Sequence, residues 1–205
     1  MHIPIYTLSF LVQTQNVFAP LELGHVFDDK DKARGPIGVV VGETLSFTTA
    51  PRHYPLGFLG KHGLEIRPGS GEFAYFEAFI RAGEFRSMSI GLASQGLVEH
   101  KVGFGGRWLG YAAGSFGWNV NGYIHSRLSG ARENEMFPNL KANDRDRIGI
   151  MVDCSQEPTI RFFINGLQSH HLCVGEEGYY QLVFPAFHLI NARINIVSNP
   201  ELPPI

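Results

Sequence analysis

The sequence predicts an all-β fold, an antiparallel sandwich or barrel of many short strands. Strand-like alternation of apolar residues recurs along the chain, and period-two alternation gives each strand one buried face. Helical periodicity is nearly absent, because Gly or Pro interrupts every stretch that begins to place apolar residues at three- and four-residue spacing. Turn formers are abundant, with 24 Gly and 12 Pro beside 16 Phe among 205 residues, and two Asn-Gly pairs fall between strand-like runs.

Residues 1–35 are the least patterned and are assigned to an N-terminal extension that packs on the sandwich. The apolar run Leu8–Val12 lacks a basic flank and a small-residue cleavage pattern, so it reads as structure rather than as a signal. DDKDKARG (28–35) is a charged turn. The main domain is assigned to residues 36–198, and no linker interrupts 40–198. FAYFEAFI (73–80) is apolar on both faces, as a strand between two layers must be. SMSIGLA (87–93) aligns Met88, Ile90 and Leu92. RIGIMVD (147–153) aligns Ile148, Ile150 and Val152. TIRFFI (159–164) aligns Ile160, Phe162 and Ile164, with Arg161 and Phe163 turned away. ARINIVS (192–198) aligns Ile194 and Ile196. Asn121-Gly122 and Asn165-Gly166 are each expected to form a two-residue hairpin turn with positive φ at both residues. Phe116, Trp118 and Val120 alternate before the first of them, so GYAAGSFGWNVNGYIHS (110–126) is expected to be a stiff hairpin rather than a mobile lid. NPELPPI (199–205) is a Pro-rich tail extended along the surface.

A net charge of −2 supplies no electrostatic footprint for nucleic acid or an anionic membrane, and no apolar run is long enough to span a bilayer. Two cysteines, Cys154 and Cys173, do not make a disulfide framework; they read as reduced thiols of an intracellular protein, cytoplasmic or nuclear.

Catalytic motifs are sparse. Ala113-Gly114-Ser115-Phe116-Gly117 lacks the first Gly of a nucleophile elbow. GFGGRWLG (103–110) lacks the Lys-Ser/Thr of a phosphate loop and the dinucleotide spacing. His170, His171 and Cys173 form the one local metal-like cluster, yet His170 opposes the other two on a strand and a closed zinc site wants four ligands. They read as an edge strand, and no metal or other cofactor is expected. Glu77, inside an aromatic strand, needs a partner if buried; a core Arg or backbone donors are the ordinary solution and a catalytic acid the other. His125 is the second residue an enzyme reading could use.

Six segments in order resemble the SPRY domain family: YFEAFI (75–80), SIGLA (89–93), GSFGWNVNG (114–122), DRIGIMVD (146–153), TIRFFINGL (159–167) and PAFHL (185–189). With ETLSFTTAPRHYPLG (43–57) the likeness spans about 40–198. The resemblance implies a bent, two-sheet, concanavalin-like jelly roll without catalytic activity. It implies protein or peptide binding through loops at one end, as the recognition part of a ubiquitin-ligase adaptor or a scaffold. Three loops are similar to those of SPRY domains that carry a SOCS box: the loop at Arg52, His53 and Tyr54; the segment at Tyr111-Ala112-Ala113; and a loop at His188–Asn191.

Physically, a peptide site wants rigid aromatics, an Arg and free backbone groups at a preformed concavity. Arg52, His53 and Tyr54 lie between Pro51 and Pro55, which stiffen the loop and reduce the entropy lost on binding. Arg107, Trp108 and Leu109 precede the hairpin, and Trp and Arg are frequent interface anchors. Trp108 is equally a core candidate, Tyr111 reads either as a pocket hydroxyl or as a sheet-packing ring, and Trp118 reads as core. His188 and Asn191 complete the expected partner-binding set. A carbohydrate-binding module is the alternative, since jelly-roll sandwiches also serve as lectins.

Overall fold

The computed structural model describes residue 18 and residues 23–28, 37–41, 44–48, 56–81, 87–95, 109–111, 113–128, 134–190, 193–197 and 199–204. In chain order the strands are β1 (Leu23–Asp28), β2 (Ile37–Val41), β3 (Thr44–Thr48), β4 (Leu56–Gly60), β5 (Leu64–Glu65), β6 (Phe73–Ile80), β7 (Ser87–Ser94), β8 (Ser115–Asn119), β9 (Asn121–Ser126), β10 (Asn134–Lys141), β11 (Arg147–Asp153), β12 (Thr159–Ile164), β13 (Leu167–Cys173), β14 (Leu182–Ile190) and β15 (Arg193–Val197). A 3-10 turn spans Glu176–Gly178.

All pairings are antiparallel, and the strands form two sheets. One runs β1-β4-β14-β7-β8-β9-β10, with β5 pairing β14; the other runs β13-β12-β11-β6-β15-β3-β2. The sheets face each other through alternating positions, most of them predicted from sequence. Phe76, Ile148, Ile150, Ile160, Phe162, Ile194 and Ile196 from the second sheet meet Met88, Ile90, Leu92, Phe116, Trp118 and Phe187 from the first. Phe162 sits at the centre, with its ring 5.6 Å from Trp118 at 87° and 5.7 Å from Phe116. Trp118 is fully buried and its indole N–H donates to the Leu140 carbonyl at 2.9 Å, so the core loses no hydrogen bond by enclosing it.

Part of the N-terminal extension belongs to the sandwich. β1 pairs β4 at the edge of the first sheet, and Phe18 enters the core with its ring 5.6 Å from Phe76.

The two Asn-Gly pairs part company. Asn165 (φ 54) and Gly166 (φ 78) both have positive φ between Ile164 and Leu167, which pair with each other; this is the expected two-residue turn. At the other pair only Gly122 (φ 100) is positive. There Asn121 pairs Lys141 of β10, and the turn is braced by Asx-type bonds from the Asn121 N–H to Asn119 Oδ1 and from the Tyr123 N–H to Asn121 Oδ1. Recruitment of Asn121 into a third strand overrides the local two-residue preference.

The lateral seam between the sheets is closed where β10 meets β13. Ser169 is the extra residue of a bulge in β13, and its carbonyl accepts from the Asn139 amide on β10. Phe137 and His170 pack their rings 4.2 Å apart beside it. Replacing the central ring, Phe162→Ala, is expected to lower the unfolding free energy by ~3–5 kcal/mol, read from urea denaturation.

Candidate functional site

The first sheet turns its outer face toward the segment that leads into β8. Gly117 and Gly110 permit this approach. A Cβ on Gly117 would lie 2.2 Å from the Leu109 carbonyl oxygen, and one on Gly110 (φ 94) would lie 2.2 Å from the His125 carbonyl oxygen. Residues 109–111 therefore lie flat on β8 and β9, pinned by a 2.8 Å bond from the Gly110 N–H to Ser115 Oγ.

This arrangement delivers Tyr111 to His125. Their rings are 4.2 Å apart at 37°, and the Tyr111 hydroxyl lies 3.2 Å from His125 Nε2. Tyr123 also stacks on His125, in parallel at 5.8 Å and 3°. Tyr111 and Tyr123 are each 40% exposed, and Met136, opposite Tyr123 on the edge strand β10, is 49% exposed. The result is a continuous surface of three rings and a thioether, with Tyr111 held so that little rotamer freedom remains to be lost on binding.

The expected site residues distribute unevenly around it. Tyr111 is part of the ring surface. Leu109 is fully buried, with its backbone against Gly117. His188 is not in a loop: β14 continues to Ile190, and the Phe187-His188-Leu189 alternation carries the histidine to the outer face. There it is 1% exposed, in register with Ser89, which in turn faces Asn119. As placed, it offers no surface to a partner. Arg52, His53, Tyr54, Arg107, Trp108 and Asn191 lie outside the described residues. Tyr123, His125 and Met136 escaped the sequence reading of the site, although the alternation in NGYIHS already turns Tyr123 and His125 away from the core residue Ile124.

Burial pushes the His188 imidazole down to about 4. The unfolded chain protonates this ring near pH ~6.5, so between those values it holds more protons than the folded chain and acid favours unfolding. The stability of the neutral buried ring is complete above the upper value and is lost as pH falls toward the lower one.

Glu77 has the partner that burial demands. It is 3% exposed, accepts from the Tyr75 hydroxyl at 3.0 Å, and is paired by the Arg147 guanidinium, whose Nε lies 3.1 Å away. Burial, then the Glu77 carboxylate, pushes the Tyr75 phenol up, so it stays protonated as a donor. The hydrogen bond to Glu77 raises Arg147 in turn. With all its neighbours engaged in holding a charge, the carboxylate has the surroundings of a structural ion pair rather than of a proton donor to substrate.

Among the described residues, no three His, Cys, Asp or Glu side chains converge as metal ligands, and no helix is long and apolar enough to cross a membrane. His170 lies between Phe137 and Phe162, inside the seam, while His171 and Cys173 are exposed on the edge strand β13. Cys154 and Cys173 are free thiols.

The SPRY domain family matches residues 73–199, and the chain belongs to that family of protein-interaction modules, whose members are generally non-catalytic. A human SPRY domain is similar in fold, at TM-score 0.54 and 20% identity, covering 80% of this chain and 97% of that one. The TRIM65 PSpry domain aligns at TM-score 0.46 and 17% identity over 68% and 66% of the two chains. A variant of the Emp46p carbohydrate recognition domain aligns at TM-score 0.50 and 8% identity over 82% and 88%. No curated protein matches the chain.

Two measurements check this geometry. Gly110→Ala is expected to lift Tyr111 off β9 at a cost of ~1–3 kcal/mol, visible as a lower unfolding midpoint and as loss of the Tyr111 ring-current shift on His125 in NMR spectra. Urea unfolding of the wild type is expected to lose roughly 2–3 kcal/mol between pH ~7 and ~4.5, and His188→Gln to lose clearly less over the same interval.

Proposed function

We propose that this SPRY domain recognises a protein partner by docking a short peptide segment against loops at one end of the sandwich. Main-chain hydrogen bonds and a few aromatic anchors supply the affinity. Arg52, His53, Tyr54, Arg107, Trp108, Tyr111 and Asn191 make the contacts, with Leu109 and His188 supporting from below. The observation that carries the reading is the Tyr111–His125 pair: an exposed ring, fixed by stacking and a hydrogen bond, at a position the family resemblance assigns to the pocket. Preorganised aromatics of this kind concentrate binding energy. The domain acts as the recognition part of a larger intracellular complex, such as a ubiquitin-ligase adaptor or a scaffold, and uses no cofactor. The loop likeness to SPRY domains with a SOCS box supports the adaptor role.

The alternative is a carbohydrate-binding module. The parallel Tyr123 and His125 rings beside Tyr111 favour it, because exposed aromatic planes also stack on sugars.

Selection from a displayed random-peptide library, followed by calorimetry of the selected peptide, tests the reading. Arg52→Ala, Trp108→Ala and Tyr111→Ala are each expected to weaken binding about tenfold or more, roughly 1.4 kcal/mol or above. Unchanged affinity in all three would remove the pocket assignment. Defined hits on a glycan array, with no peptide selected, would favour the alternative.

A further inference from the structure

The outer face of the seven-stranded sheet carries an apolar cluster that none of the described strands covers. Tyr75, Met151 and Phe163 are 1%, 0% and 0% exposed and form a cluster separate from the interior. Tyr75 points opposite to Phe76, Met151 lies opposite it in register, and the Tyr75 and Phe163 rings meet edge to face at 5.7 Å. Outer-face residues shielded this completely require a cover.

The chain leaves β15 in the direction that supplies one. Ile194 is opposite Ile80 and Val197 opposite Glu77, so the residues that follow run toward Tyr75. In that tail Pro200 and Pro203 are buried, whereas Asn199, Glu201, Leu202 and Pro204 are exposed. A burial period of three is that of a polyproline II helix, and Pro-x-x-Pro is the spacing such helices present to aromatic grooves. Glu201 is near enough to Arg147 of β11 to add a small share to the raising of its guanidinium, after the larger effect of Glu77. The tail therefore returns over β6 and β11.

We propose that the outer face around Tyr75, Met151 and Phe163 is a docking groove for an extended, proline-spaced peptide with an acidic residue between its prolines, and that the protein's own Pro200-Glu201-Leu202-Pro203 occupies this groove in cis. Proline rings present flat apolar faces to Tyr75 and Phe163, and a chain already restricted in φ loses little entropy on docking. Arg147, held by Glu77, stands at the rim as a fixed positive charge that selects the acidic residue. A peptide of the Pro-Glu-x-Pro class binds in trans by displacing the tail, which competes as a tethered ligand. This groove lies on the opposite sheet from Tyr111, so it stands or falls independently of the peptide site proposed above.

Methionine oxidation reads the groove directly in the full chain. Met136 is 49% exposed, Met88 is buried in the interior and Met151 is buried on the outer face. Under dilute peroxide with peptide mapping, wild type is expected to oxidise Met136 quickly and both Met88 and Met151 slowly. In a Pro200→Glu/Pro203→Glu variant, Met151 is expected to oxidise about tenfold faster or more while Met88 is unchanged. Glu201→Lys is expected to give a smaller rise with the same selectivity. Millimolar Asn-Pro-Glu-Leu-Pro-Pro-Ile peptide, a concentration on the order of a tethered ligand's, restores protection to the double variant. Met151 remaining as slow as Met88 in both variants, or the two methionines accelerating together, would overturn the cover. Selective exposure of Met151 without rescue by the peptide would overturn the docking groove.

Discussion

Phe162 is the contact on which the two sheets depend. Its ring meets Trp118 and Phe116 from the opposite sheet and lies 6.0 Å from His170 on the neighbouring strand. Three aromatic partners of different orientation leave it one packing arrangement, and close-packed interiors transmit that choice outward. Through Trp118 the contact extends to the Leu140 carbonyl at the end of β10. From β10 it reaches the seam, where Phe137 packs on His170 and Asn139 bonds to the bulged Ser169. The position of β10 in turn sets the turn at Asn121-Gly122 and the placement of Met136 beside Tyr123. The ring surface is thus built at an edge whose geometry is dictated from the core.

The outer faces of the two sheets are used differently. On the eight-stranded sheet, small residues allow a segment to lie against the strands, and its end presents Tyr111 to His125 at the boundary between covered and open surface. Aromatics held at such a boundary keep one face packed and one face available, which is what a recognition surface requires. On the seven-stranded sheet the cluster of Tyr75, Met151 and Phe163 is enclosed, and the buried carboxylate beside it, Glu77, is matched by a tyrosine and an arginine. A half-buried pair of this kind contributes little net stability, because desolvation of the carboxylate offsets much of the attraction. Here it fixes the Tyr75 ring over Gly149, whose missing side chain leaves room for it.

Sequence alone determined which residues face inward. The alternation in 87–93, 147–153 and 159–164 reproduces the observed interior, including Phe163 turned outward, because period two is a property of the extended backbone that needs no knowledge of neighbours. The Asn165-Gly166 turn was legible for the same reason, since its requirement for positive φ is local. The ordered SPRY motifs carried the architecture and the family. The tertiary structure alone decided what lies on the outward side. On their strands His188, Tyr123 and Tyr75 all point away from the core, yet His188 and Tyr75 are covered and Tyr123 is open. Whether a face is covered depends on segments distant in sequence, as does the pairing of Asn121 with Lys141 that reshaped the first Asn-Gly turn. Local residue preferences contain no record of such long-range contacts. The residues that make the site are therefore found only once the strands have been brought together.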